Sequence, residues 1–368
     1  MYKYPKHASQ QRDRVNNLDE FYSRRPVLVT GGLGFIGSNL ALRLAALGAR
    51  VTIVDARTPG CGSNADNVRE IASQIEFVER DIAEAKSFRS AIAESEVIFN
   101  LAGEVSHTHS MDFPERDFEI NARAQLRFLT ECADAAPGVR VVYAGTRQVY
   151  GPPRYLPVDE AHPIQPVDFN GVHKRAAEQY HQLLTRSGRL DGIVLRLSNV
   201  YGPRMGLHLL CQGFLPVFFR KILRDEPIEI YGNGAQLRDP VYIDDVVEAL
   251  LIAGRTAHPP SVAYNIGGTA ALPIEQIARI ICSLAGTVAP VRREFPEELR
   301  AINIGGYASD CSRALRDLGW CARTSFEEGA AATLKYLRAN WSYYQKTTKA
   351  SVCALQRTEE ALRSAVPA

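Results

Sequence analysis

The 368-residue sequence predicts an α/β fold, a doubly wound parallel sheet followed by a smaller C-terminal α/β substrate domain. Three observations predict it. Short apolar runs alternate with helix-length amphipathic segments through the first half of the chain. A glycine cluster joins the first apolar run to the first helical pattern. Past about residue 200 the alternation loosens into shorter elements.

Val27 to Thr30 read as a buried strand that runs into the turn Gly31-Gly32-Leu33-Gly34. A helix over residues 35–47 follows, with Ile36, Leu40, Leu44 and Leu47 at helical spacing and Gly48 as its stop. Val51 to Val54 make a second strand, and Asp55 stands at its carboxyl end. This strand–turn–helix–strand unit is a Rossmann dinucleotide fingerprint. Gly31 permits the tight turn. Gly34 lets backbone N–H groups approach a pyrophosphate at the helix N-terminus, where Phe35 and Ile36 begin and the dipole favours an anion. Gly37 allows close helix–strand packing. Asp55 is placed to accept hydrogen bonds from an adenosine ribose and would repel a 2′-phosphate, which favours NAD over NADP. Arg57 weakens that preference slightly.

The following strands are expected at 75–78, 97–101, 139–144 and 193–197, with helices at 115–135 and 169–187. Asp81, after the third strand, has two readings: an acceptor for the adenine amino group, with Ile82 packed on the ring, or a cap for the next helix. The fourth strand runs into Leu101-Ala102-Gly103, small enough for a cofactor to lie close. Glu104, Ser106, His107, Thr108 and His109 then line a polar loop at the strand carboxyl ends, where open parallel sheets bind ligands. Later come a helix at 214–223, a strand at 228–231, a helix within 235–255, a strand and turn at 264–268 and a helix at 273–284.

These elements imply an N-terminal arm at 1–25 and a nucleotide-binding domain at 26–198, to which 235–255 returns. Residues 199–234 and 256–338 form the substrate domain, and 339–368 a tail. With 43 basic against 41 acidic residues, interspersed, nothing suggests a nucleic-acid partner. No apolar run has transmembrane length, and the first 25 residues lack the apolar core of a signal peptide. Seven cysteines, without CxxC pairs or metal spacing, point to a reduced cytoplasmic protein with no metal site.

The order of motifs resembles the extended short-chain dehydrogenase/reductase family, in its NAD-dependent nucleotide-sugar epimerase and dehydratase branch, over roughly residues 26–338. Thr30-Gly31-Gly32-Leu33-Gly34-Phe35-Ile36-Gly37 is similar to the family's TGxxGFIG. The resemblance places Asp81, Ile82, Leu101, Ala102 and Gly103 around the adenine and its ribose. It makes Thr146, four residues before Tyr150, the catalytic hydroxyl, and Lys174 the lysine that holds the nicotinamide ribose. It implies a nucleoside diphosphate sugar as substrate, its pyrophosphate held by Asn199, Arg238 and Arg300, with Tyr307 following Arg300 by seven residues. Two arginines on a diphosphate make physical sense because guanidinium–phosphate bonds are bidentate and oriented. As lone residues either arginine reads first as a surface salt bridge, and the surrounding motifs favour the phosphate role. The resemblance also implies a homodimer through a four-helix bundle of 115–135 and 169–187, in which Leu126, Leu129, Ala176 and Ala177 offer packing surfaces.

Two departures matter. The family's Tyr-x-x-x-Lys is here Asn170-Gly171-Val172-His173-Lys174. An amide does not titrate usefully, so Asn170 cannot be the general base, although it can hydrogen-bond a sugar oxygen. Arg147-Gln148 stand where the 4,6-dehydratases carry an Asp–Glu pair, which disfavours water elimination. Glu104 and His107 are the preferred replacement bases, with Tyr155, His173 or a relay through Thr146 behind them. Their other readings are a solvated carboxylate and a loop histidine. The expected activity is NAD-dependent nucleotide-sugar epimerisation, at C4, by transient oxidation. The alternatives are a dehydratase or keto-sugar epimerase with a relocated base, and a catalytically silent binding protein.

Overall fold

The computed structural model describes residues 18–58, 61–207, 209, 213–297 and 303–345. Seven parallel strands form the main sheet: β1 (Pro26–Thr30), β2 (Arg50–Val54), β3 (Ile75–Val78), β4 (Val97–Asn100), β5 (Arg140–Thr146), β6 (Asp191–Leu197) and β7 (Ala263–Ile266). Their spatial order is β7-β6-β5-β4-β1-β2-β3, with the direction of winding reversed between β1 and β4. β4, Val-Ile-Phe-Asn, is buried at every residue, because helices cover both faces of a parallel sheet. Apolar clusters lie on the two faces. One gathers Val29, Leu40, Phe99 and Leu250, the other Leu28, Ile98, Phe128 and Val141.

Five helices position the site: α1 (Phe35–Ala46), α2 (His107–Asp112), α3 (Ala124–Ala135), α4 (Phe169–Arg186) and α5 (Ile243–Arg255). α1 has Gly34 as its N-cap and no side-chain cap, so its first N–H groups stay available to an anion. α4 is capped by Asp168, whose Oδ1 accepts from Gly171 N at 2.6 Å. Beyond the sheet, helices Phe214–Leu223, Ile274–Ala285 and Phe326–Ala339 are interleaved with two- and three-residue ladders.

Three expectations are corrected, and one helix gains a detail. The segment 264–268, expected in the substrate domain, instead contributes β7, an edge strand of the main sheet paired in parallel with β6. The expected helix at 115–135 is present and carries a π-helical turn, Glu119–Arg123, between Pro114–Phe118 and α3. The end of the N-terminal arm is not free. Leu18 and Tyr22 are buried, and the Tyr22 hydroxyl donates to Leu251 O at 2.8 Å; residues 1–17 lie outside the described residues. Leu129 and Ala177 face the protein's own core, which removes them from any intersubunit surface.

Candidate active site

A cavity of about 440 Å³ opens at the carboxyl ends of the strands, where the strand order reverses. The β1–α1 turn builds one wall. Gly31 adopts φ +66°, and a Cβ there would meet Ala102 N at 2.9 Å. At Gly37 a Cβ would lie 2.2 Å from Gly31 O. Turn and helix therefore approach more closely than any side chain allows. Asp55 lines the cavity; its Oδ2 accepts from Leu33 N at 3.1 Å and its Oδ1 from Arg57 N at 2.9 Å. Arg57 itself pairs with Glu79 at 3.4 Å. Asp81 and Ile82 also line the cavity, and Asp81 caps the following turn by accepting from Ala83 N at 2.7 Å. Both sequence readings of Asp81 are thus compatible in one residue.

The end of β4 is shaped by polar side chains that sequence reading missed. Thr30 Oγ1 accepts from Leu101 N and Ala102 N at 3.1 and 3.2 Å and donates to Asn100 Oδ1 at 3.0 Å. Asn100 donates to Gln125 Oε1 at 2.6 Å, and Gln125 donates to Ala102 O at 2.9 Å. A polar Asn closing the apolar run of β4 was the available signal. The network holds Leu101, Ala102 and Gly103 against the cavity, and a Cβ on Gly103 would lie 2.4 Å from Lys174 Nζ.

Thr146, Asn170 and Lys174 line the same cavity. Thr146 Oγ1 accepts from Gln148 N at 3.2 Å. Lys174 is 6 % exposed, and burial pushes its ammonium down to about 8, against the opposing charges of Asp117 and Glu104. Asn170 Nδ2 donates to Asp117 Oδ2 at 2.8 Å and to Glu104 O at 3.0 Å. Both partners are acceptors only, so the amide orientation is fixed and its buried Oδ1, without a partner, is left to accept from a ligand.

The candidate bases separate. His107 lines the cavity, and its side chain is 35 % exposed. Glu104 does not line the cavity. Its carboxylate meets His109 Nδ1 at 2.9 Å and Arg116 Nε at 3.3 Å. Burial works to raise its pKa, but the His109 hydrogen bond and the Arg116 charge outweigh burial and the net shift is downward. A carboxylate held ionised in that way is a poor proton acceptor, which corrects the expectation for Glu104. His173 pairs with Asp117 at 2.8 Å, and Tyr155 is exposed and bonded to Asp159; neither lines the cavity.

On the substrate side, Asn199 lines the cavity with its Oδ1 buried and without a partner. Arg238 donates to Leu237 O and Gly305 O at 2.7 and 2.6 Å; burial, then the neighbouring Arg147 charge, lowers it to about 9. Tyr307 does not reach the cavity. It is buried beside Tyr150, and the Arg147 guanidinium lies 4.8 Å over its ring. Its expected substrate contact is therefore corrected to a supporting position under Arg147. Arg300 lies outside the described residues.

The model of the NAD dependent epimerase/dehydratase family matches residues 27–267. The chain belongs to that family. Its cofactor is NAD, and the glycine cradle, open helix N-terminus and Asp55 fit such a dinucleotide. The chain is 33 % identical to a UDP-glucose 4-epimerase of Mycolicibacterium smegmatis, over 84 % of this chain and 98 % of the relative. It is 27 % identical to a dTDP-glucose 4,6-dehydratase of Xanthomonas campestris pv. campestris, over 86 % and 94 %. Among solved structures, it matches an epimerase of Methanothermobacter thermautotrophicus with a TM-score of 0.83 and 27 % identity, covering 92 % of this chain and 99 % of the other. A Thermotoga maritima UDP-glucose 4-epimerase with UDP-glucose matches at a TM-score of 0.77 and 28 % identity, covering 86 % and 99 %. Among the described residues no helix is long and apolar enough to cross a membrane, and no cluster of His, Cys, Asp or Glu could hold a metal.

Proposed function

We propose that this protein is a nucleotide-sugar 4-epimerase that oxidises a ring hydroxyl and re-reduces the ketone on its other face. The observation that carries the proposal is one cavity joining the dinucleotide glycines to Thr146, Asn170 and Lys174, with no acid pair beside Thr146. Bound NAD supplies a hydride acceptor that becomes a hydride donor. The chain supplies everything else. Thr146 offers a hydroxyl to the reacting sugar oxygen. Asn170 accepts a hydrogen bond from a sugar hydroxyl through Oδ1. Lys174 holds the nicotinamide ribose and places positive charge where an oxygen loses its proton. Asn199, which lines the cavity, holds the pyrophosphate; Arg238 lies outside that lining, bonded to Leu237 O and Gly305 O, and adds positive charge behind it. Arg147 and Gln148 in place of an Asp–Glu pair argue against dehydration, because neither donates and withdraws protons near neutral pH.

The M. smegmatis relative makes uridine diphosphate sugars the first substrates to try. The test incubates the NAD-loaded protein with C4-deuterated UDP-glucose and UDP-galactose, followed by mass spectrometry and NMR. Interconversion with a primary isotope effect at C4 supports the redox route; turnover without any effect at C4 would count against it. We further propose a homodimer. Phe118, Leu126, Phe169, Val172 and Leu183 are all exposed apolar residues on or beside α3 and α4, a concentration that a second copy would cover.

A further inference from the structure

We propose that His107 and Asp168 form the proton-transfer pair of this site, with His107 Nε2 as the acid–base group in place of the missing tyrosine. The inference rests on the epimerase proposal and deepens it by naming the base and the residue that positions it.

His107 Nδ1 lies 2.5 Å from Asp168 Oδ2, and Gln148 Nε2 lies 2.9 Å from the same nitrogen. A carboxylate at that distance only accepts, so Nδ1 carries the hydrogen and donates it to Asp168. An amide N–H and an Nδ1–H cannot both donate across the gap to Gln148, so with Nδ1 protonated the Gln148 amide turns its Oε1, an acceptor, towards the ring. The ring contacts among the described residues all fall on Nδ1. Nε2 is then the lone-pair nitrogen of a partly exposed ring that lines the same cavity as Thr146 and Asn170. Asp168 is well suited to positioning. It is buried, and its other oxygen caps α4 by accepting from Gly171 N at 2.6 Å. The helix that carries Asn170 and Lys174 thus also fixes the carboxylate that orients the base. Burial works to raise the Asp168 pKa, but the hydrogen bond and charge of His107 bring it below the usual carboxylate range. Asp168 therefore stays ionised and can pair with an imidazolium.

The step balances. The sugar O–H bond breaks and its proton passes to Nε2. The C–H bond breaks and its electron pair leaves with the hydrogen, as hydride, to NAD⁺. The oxygen electrons close the C=O bond. The imidazolium formed is stabilised by Asp168, and re-reduction of the ketone returns the proton from Nε2 to the oxygen.

The test uses the full NAD-loaded protein, UDP-glucose and UDP-galactose as probes, and ¹⁵N-histidine NMR of the protein without sugar. His107→Gln is expected to lower kcat by about 10²- to 10⁴-fold. His107→Ala is expected to regain turnover with added imidazole, which loss of a structural contact would not do. Asp168→Asn keeps a good helix cap and is expected to retain its melting temperature. Its His107 is expected to change from the Nδ1–H tautomer to a mixture, with kcat reduced at least roughly tenfold. An Nε2–H tautomer in the unmodified protein would overturn the pair. So would His107→Gln turning over within about threefold of it, and the epimerase proposal would survive either result. An unmodified protein that converts neither these sugars nor their dTDP, GDP and CDP counterparts, while its His107 shows the expected tautomer, would overturn the epimerase proposal and with it the catalytic role of the pair.

Discussion

Lys174→Met is expected to abolish most activity and yet make the protein more stable at neutral pH. Lys174 lies deep in the cavity wall, and burial moves its pKa from the usual 10.5 to about 8. At about 1.4 kcal/mol per unit, that gap corresponds to a penalty of roughly 3 kcal/mol for keeping the ammonium charged in the folded state. The sign follows from proton linkage. Below about pH 8 the lysine is charged both folded and unfolded, and the whole penalty applies. Between about 8 and 10.5 the unfolded chain holds more of the proton, so wild-type stability climbs with pH and the penalty fades. Methionine fills a similar length without charge. Its introduction orphans neither nearby carboxylate, because Asp117 keeps Asn170 and His173 and Glu104 keeps His109 and Arg116. Equilibrium urea unfolding of NAD-stripped protein measures the difference. Lys174→Met should gain up to roughly 3 kcal/mol at pH 7, and the advantage should close as the pH rises towards 10.5. A variant less stable than wild type at pH 7, by an amount that does not change with pH, would refute the reasoning.

Three further outcomes are expected. Gly37→Ala should weaken NAD binding roughly tenfold or more by calorimetry: the added Cβ would lie 2.2 Å from Gly31 O, and overpacking of about 1–3 kcal/mol exceeds the gain of about 1 kcal/mol in helix propensity. Unchanged affinity and melting temperature would show that the turn tolerates the methyl. Asn170→Ala should cost about 1–3 kcal/mol of stability, because Asp117 Oδ2 loses its donor, while lowering kcat less than Lys174→Ala does; the reverse order of kcat values would make Asn170 more than an orienting group. Leu126→Glu with Leu183→Glu should convert a dimer to a monomer in sedimentation, and an unaltered dimer would place the interface elsewhere.

Much of the fold was legible because period and punctuation are local. The apolar runs at 27–30, 51–54 and 97–101, with glycines at 31, 34 and 37, state strand, turn and helix without reference to the rest of the chain. The π-helical turn at Glu119–Arg123 left no such mark; its Asn121 accepts from Glu104 N at 3.1 Å, a partner that lies across space. β7 was misassigned for a similar reason: a four-residue strand carries no label saying which sheet edge it will join. In the site, Asn170 was readable as a departure and His107 as a candidate. Glu104 was indistinguishable from His107, because both simply follow β4 in a polar loop.

The sequence by itself determined the dinucleotide cradle, the acidic residue at the end of β2, the absence of a tyrosine four residues before Lys174, and the absence of an Asp–Glu pair after Thr146. Each is a property of residue type at short spacing, which backbone geometry converts directly into position. Only the tertiary structure decided how those groups are charged and oriented. It turned Glu104 into His109 and Arg116, drew Asp168 across 61 positions of sequence to His107, and buried Lys174 deeply enough to lower its pKa. Burial, pairing and hydrogen-bond direction depend on what lies across space, and in a parallel sheet the residues that meet at the strand ends come from distant crossovers.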